Sequence, residues 1–182
     1  MSPRMIPVRV AIALVGVGVV LAPTIAGVRP PGQGSPPCGD PAFRQFDFWV
    51  GEWEVSGARA GLVGHNRITS ILSGCALREE YEGVGGYRGT SYNSYDRGRR
   101  QWHQTWVDNA GLLLRLDGEF DGKRMVLIGM RLDEKRDTVW DRIAWEAIPA
   151  GQVRQLWEHG PSPEGPWTVV FDGTYRRKGQ PQ

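Results

Sequence analysis

From Asp47 to Arg177 the chain runs in stretches of alternating apolar and polar residues, each roughly 7–11 long and each closed by a turn signal. That rhythm admits strands with one buried face, and no segment of useful length shows the 3.6-residue period of an amphipathic helix. Strands are expected over residues 47–57, 64–73, 76–83, 87–96, 100–108, 111–121, 123–132, 138–148, 152–159 and 167–177. Asp96-Arg97-Gly98, Asp108-Asn109-Ala110-Gly111, Asp121-Gly122 and Ala150-Gly151 mark tight hairpin turns between them. Short connections imply that each strand pairs antiparallel with the next. The fold class is therefore all-β, a single antiparallel up-and-down β-barrel of about ten strands, because closure removes the edges an open sheet of this size would expose. A two-sheet sandwich is the competitor, but its Greek-key crossovers need longer connections than these. A barrel of this size can hold one small ligand.

The strand region is preceded by two stretches of different character. Arg4 and Arg9 form a basic start, residues 10–21 are apolar and uncharged, and Thr24-Ile25-Ala26 offers the small residues a signal peptidase reads. The apolar run is shorter than the roughly 20 residues a membrane span needs. Residues 1–26 thus read as a cleaved export signal, with an uncleaved anchor as the alternative, and the mature chain as periplasmic or extracellular with no integral membrane span. Residues 27–42, rich in Pro, Gly and Ser, read as a flexible linker, leaving 43–178 for the barrel. Cleavage removes two of 22 basic residues and none of 20 acidic ones, so the mature chain is close to neutral. Neutrality gives no electrostatic case for nucleic acid or anionic lipid. In an oxidising compartment Cys38 and Cys75 are expected to form a disulfide; two free thiols with Cys75 buried is the other reading. Neither C-x-x-C nor a Cys/His cluster at zinc spacing occurs, so no metal site is expected.

Eight tryptophans are many for one small domain. Strand periodicity puts Trp102, Gln104 and Trp106 on one face and Gln155, Trp157 and His159 on another, while Ile143 and Trp145 lie opposite Trp140, Arg142, Ala144 and Glu146. Aromatic walls with a few amides suit a cavity for a small hydrophobic or amphipathic molecule. Asn93, Trp102, Gln104, Trp106, Arg142, Trp145, Gln155 and Trp157 are the candidate ligand contacts. A barrel filled by the same indoles is the alternative. An interior Arg142 left unpaired by Glu79, Glu146, Glu158 or Asp108 would call for an anionic ligand head group; a structural ion pair or an outward arginine is the other reading. An enzyme on this scaffold would use an interior carboxylate as general base, with Asp108 or Glu146 the candidates. Glu79 shares a face with Tyr81, opposite Glu80 and Glu82; no G-x-S-x-G and no Walker loop occurs. His65, His103 and His159 match no metal or haem ligand spacing.

Several segments together carry a resemblance: Phe46-Asp47-Phe48-Trp49-Val50-Gly51-Glu52-Trp53, Gly74-Cys75, Asn93-Ser94-Tyr95-Asp96, Trp102-His103-Gln104-Thr105-Trp106-Val107-Asp108, Arg142-Ile143-Ala144-Trp145, Val153-Arg154-Gln155-Leu156-Trp157-Glu158 and Phe171-Asp172-Gly173-Thr174-Tyr175. The chain resembles an uncharacterised bacterial family of secreted domains of unknown function, distantly related to the lipocalin-like (calycin) barrels. In such barrels Gly51-x-Trp53 would open the first strand. The resemblance also implies that Trp53 packs against an arginine of the last strand, Arg176 or its neighbour Arg177, and plugs one end, with Phe48 in the core. It raises haem as the one cofactor to consider, since nitrobindins, barrels of similar shape, bind haem through a histidine. It implies no particular reaction.

Overall fold

The computed structural model describes residues 37–58 and 60–179. The expected export signal and most of the expected linker lie outside the described residues. Ten strands form: β1 (Gly51–Gly57), β2 (Ala60–Ile71), β3 (Ala76–Gly83), β4 (Arg88–Asp96), β5 (Gln101–Asp108), β6 (Leu113–Phe120), β7 (Arg124–Leu132), β8 (Thr138–Ile148), β9 (Gln152–Gly160) and β10 (Thr168–Arg177). Each pairs antiparallel with its neighbour in sequence, and β10 closes on β1, so the sheet is an up-and-down barrel. Inside and outside alternate along each strand: Leu77 and Glu79 on β3, Ser91 and Asn93 on β4, and Trp102 and Gln104 on β5 all point inward and are buried. At Gly118 and Gly129 the β6–β7 corner brings backbones so close that a Cβ would collide with the Val126 and Arg115 carbonyls.

The first expected strand starts late. Asp47–Trp49 is a short 3-10 turn, and β1 begins only at Gly51. The alternation of 46–50 is genuine, but its aromatic residues are used to cross the barrel end rather than to join the sheet. Pro41–Arg44 is also a 3-10 turn, with Asp40 accepting from the Ala42 N–H at 2.8 Å. Phe46 stacks on Trp49 at 4.9 Å and meets Trp102 and Trp145 edge-on at 5.7 and 5.2 Å. Phe46, Trp49, Trp102 and Trp145 are all buried, so this end is a solid aromatic plug. Phe48 is only half-buried, packed against that plug rather than inside it.

Two fastenings hold the plug. Cys38 and Cys75 form the disulfide, joining the lead to the β2–β3 turn across 37 residues of sequence; closing a loop of that length contributes about 2–4 kcal/mol. The Trp53 indole donates to the Trp49 carbonyl at 2.9 Å, and the Arg177 guanidinium lies 4.5 Å over the Trp53 ring. Arg177 is therefore the arginine of this contact. Arg176 sits one position earlier, opposite Glu54 on the outer face, because neighbouring strand residues point to opposite sides. Gly51 has φ of +152°, and a Cβ there would collide with the Arg177 guanidinium.

Candidate functional site

The barrel is solid at the plug and hollow beyond it. A cavity of about 240 Å³ opens at the other end, bounded by residues of six strands and by Tyr87 of the β3–β4 turn. Glycines make the room. Trp106 lies across Gly89 of the adjoining strand, Phe171 across Gly173 of its own strand, and Tyr81 across Gly64, each so close that an added Cβ would strike the ring. The rings are thereby set flat against the wall instead of projecting into the lumen.

A polar seam runs along one side. Asn66 on β2 donates to Glu79 Oε1 at 2.7 Å, and Ser91 on β4 donates to Glu79 Oε2 at 2.6 Å. Ser91 accepts in turn from Asn93 at 2.9 Å, and Asn93 accepts from Gln104 on β5 at 2.9 Å. Only an ordered chain of donors and acceptors makes such residues tolerable in a core. Burial pushes the Glu79 carboxyl up to about 7, against the opposing pull of the Ser91 and Asn66 hydrogen bonds, which favour its ionised form. Tyr175 on β10 donates to Gln155 on β9, and burial holds its phenol well above the usual range. Burial, with the nearby Glu79 charge, also raises Tyr81. Two buried polar atoms nearby have no partner among the described residues: Asn66 Oδ1 and the Trp145 indole N–H.

Gln104, Trp106, Trp145, Gln155 and Trp157, chosen from alternation, all border this cavity. Asn93 lies in the seam behind Gln104, and Trp102 turns toward the plug, where its indole donates to Gln45 at 3.1 Å. Arg142 is a correction. It points outward opposite Glu158, donates to it at 2.7 Å and stacks over Trp167 at 4.3 Å. With Asp141 and Ile143 buried inward, Arg142 between them has to face out, and the argument for an anionic head group goes with it.

The two candidate bases fare differently. Glu146 is on the outer face with Lys123 at 2.6 Å, away from the cavity. Asp108 ends β5 at the open rim, accepting from the Tyr87 hydroxyl at 2.7 Å, the Trp106 indole at 3.4 Å and the Ala110 and Leu112 N–H groups. Burial raises the Asp108 carboxyl, but those four bonds outweigh it and leave it below the ordinary carboxylate range. Two acids are buried inside the barrel: Asp141, paired with Arg131, and Glu79, which borders the cavity. Its place between Leu77 and Tyr81 on the apolar face of β3 was the sequence signal for it.

Tyr81, Tyr87, Phe171 and Tyr175 complete the aromatic wall and were not anticipated. His103 is held outside by Asp117 and Thr105, both at 2.8 Å, and His65 and His159 are exposed; none borders the cavity. Among the described residues no three His, Cys, Asp or Glu side chains gather as a metal site, and no helix is long and apolar enough to cross a membrane. Compared with models of known protein families and with curated proteins, the chain matches none.

Proposed function

We propose that this protein is an exported binding protein that holds one small amphipathic molecule in its barrel, within the uncharacterised secreted family its motifs resemble. The observation that carries the reading is a cavity with a closed aromatic floor, an aromatic wall and a single buried polar seam. Such a division provides apolar area for affinity and a few fixed polar groups for orientation. A volume of about 240 Å³ lies just under the roughly 300–1,000 Å³ of drug-sized sites, so the ligand is a compound of one or two rings rather than a long acyl chain. Exposed Val84, Tyr87, Val107, Leu113, Val169 and Val170 surround the open end and offer an apolar approach to it. Export is supported by the disulfide, since such bonds persist in oxidising compartments.

Intrinsic fluorescence tests the reading directly, because Trp106, Trp145 and Trp157 border the cavity. A panel of one- and two-ring compounds should shift or quench it saturably, and native mass spectrometry should show one compound per chain. Absence of both responses across the panel refutes the binding function. A general-base enzyme is the second reading, favoured by one feature only: a buried carboxyl with a pKa near neutrality facing a cavity. Turnover of any bound compound that survives Glu79→Gln unchanged removes it.

A further inference from the structure

The cavity has a sign. Of the side chains that border it, Glu79 alone carries an ionisable carboxyl, and none is Lys, Arg or His. Glu79 is buried, with one neutral donor on each oxygen and no basic group paired with it. A carboxylate has about four lone-pair sites, so half of its accepting capacity is unused. The Asn66 oxygen beside it is another buried acceptor with no donor among the described residues. At the rim, Asp108 is held by four neutral donors and by no cation. Elsewhere on this barrel acidic side chains do find bases: Asp141 takes Arg131 at 2.8 Å, Glu158 takes Arg142 at 2.7 Å and Asp172 takes Arg154 at 2.8 Å. Neither Glu79 nor Asp108, the two acids on the path into the lumen, has a counter-ion among the described residues, whereas the other buried acid, Asp141, is paired with Arg131. The rings of Trp106, Tyr81 and Tyr87 border the same cavity, and the face of such a ring attracts a cation.

Resting on the binding function above, we propose that the ligand is an amine: a one- or two-ring compound whose ammonium seats on Glu79, enclosed by the aromatic wall. The ammonium supplies the donors that Glu79 and Asn66 lack, and the ring supplies the apolar area. An anionic compound would place like charge against Glu79 in a low-dielectric site. Without a ligand, burial favours the neutral acid, so the exchange balances as follows: protonated Glu79 plus ammonium gives the carboxylate–ammonium pair, and one proton leaves to solvent. Nothing else facing Glu79 titrates in the same range. Tyr81 from its own strand and Tyr175 from β10 are both raised phenols and stay neutral. The other strands around it present Asn66, Ser91, Gln104, Trp145 and Gln155.

The test uses three isosteric probes, tryptamine, 3-ethylindole and indole-3-acetate, titrated calorimetrically into the full chain at pH 6 and pH 8 in buffers of different ionisation enthalpy. Tryptamine is expected to bind most tightly, about tenfold better at pH 8 than at pH 6, releasing close to one proton at pH 6 and almost none at pH 8. Glu79→Gln should weaken tryptamine at least tenfold and abolish the proton release while retaining 3-ethylindole. If 3-ethylindole or indole-3-acetate binds as well as tryptamine, or no proton is released at pH 6, the amine assignment fails and the binding function stands. Should none of the three bind, the amine assignment falls, and the fluorescence and mass-spectrometry panel decides the binding function separately. The proton count is read on the unaltered protein, so the test survives a variant that fails to fold.

Discussion

Replacing Glu79 by Gln should change how stability depends on pH more than it changes stability itself. Glu79 is buried and its carboxyl is raised from 4.5 to about 7 by desolvation. Below 4.5 both the folded and unfolded chains hold the proton, and the group is neutral to stability. Between 4.5 and 7 the unfolded chain releases its proton while the fold retains it, so stability falls as pH rises. Above 7 both states are ionised and the deficit stays constant. At 1.36 kcal/mol per pKa unit the full deficit is about 3 kcal/mol. Gln keeps the shape and cannot ionise. It does set an amide N–H₂ against Ser91 or Asn66, a cost of about 1 kcal/mol that does not vary with pH. Thermal unfolding of both proteins at pH 4, 6 and 8 separates the two effects. The variant should gain about 3 kcal/mol relative to the parent between pH 4 and pH 8, or roughly 6–12 °C in Tm. Other carboxylates cancel in that difference. Parallel pH profiles for the two proteins would refute the claim that Glu79 is a desolvated acid.

Four further outcomes follow from the packing. Gly89→Ala drives Trp106 off the wall and into the lumen; it should cost about 1–3 kcal/mol and lower affinity for any cavity ligand, read by calorimetry on a chain whose circular dichroism is unchanged. Cys38→Ser with Cys75→Ser should lower stability by about 2–4 kcal/mol in denaturant titrations, by freeing the lead that carries the plug. Arg142→Ala should leave ligand affinity untouched and cost about 1 kcal/mol at most, since its bond to Glu158 lies on the outer face; a large loss of affinity would put Arg142 back inside. Arg177→Met should cost about 1 kcal/mol in thermal melts, whereas Arg176→Met should cost less, because only Arg177 lies on Trp53.

Alternation along the chain made most of the barrel legible. Period 2 over ten runs specifies strands, and Asp-Gly or Asn-containing breaks specify hairpins; pairing in sequence order follows from the short turns. The same parity placed Gln104, Trp106, Trp145, Gln155 and Trp157 inward. It also contained the answers for Arg142 and Arg177, which lie one residue from inward and outward neighbours respectively. At Arg142 residue type and parity point different ways: a guanidinium among apolar neighbours invites an interior role, and parity with Trp140 and Ala144 sets it opposite Ile143 and Trp145. Glu79 is the converse case: it is one of several adjacent glutamates, and only its parity with Leu77 and Tyr81 marks it as inward.

Other features have no local signature. Whether Asp47–Trp49 extends β1 or folds across its end depends on what the end of a closed barrel leaves uncovered, namely Trp102 and Trp145 from strands far along the chain. The cavity likewise depends on cross-strand neighbours: Trp106 leaves the lumen open because Gly89 is its neighbour on β4. From the sequence alone came the all-β class, the order of pairing and the side each residue faces, because those rest on the period of the backbone and the chemistry of turns. Tertiary structure decided which end is plugged, where the hollow lies and that its one charged group is an acid, because each of these is a contact between residues brought together only by closure.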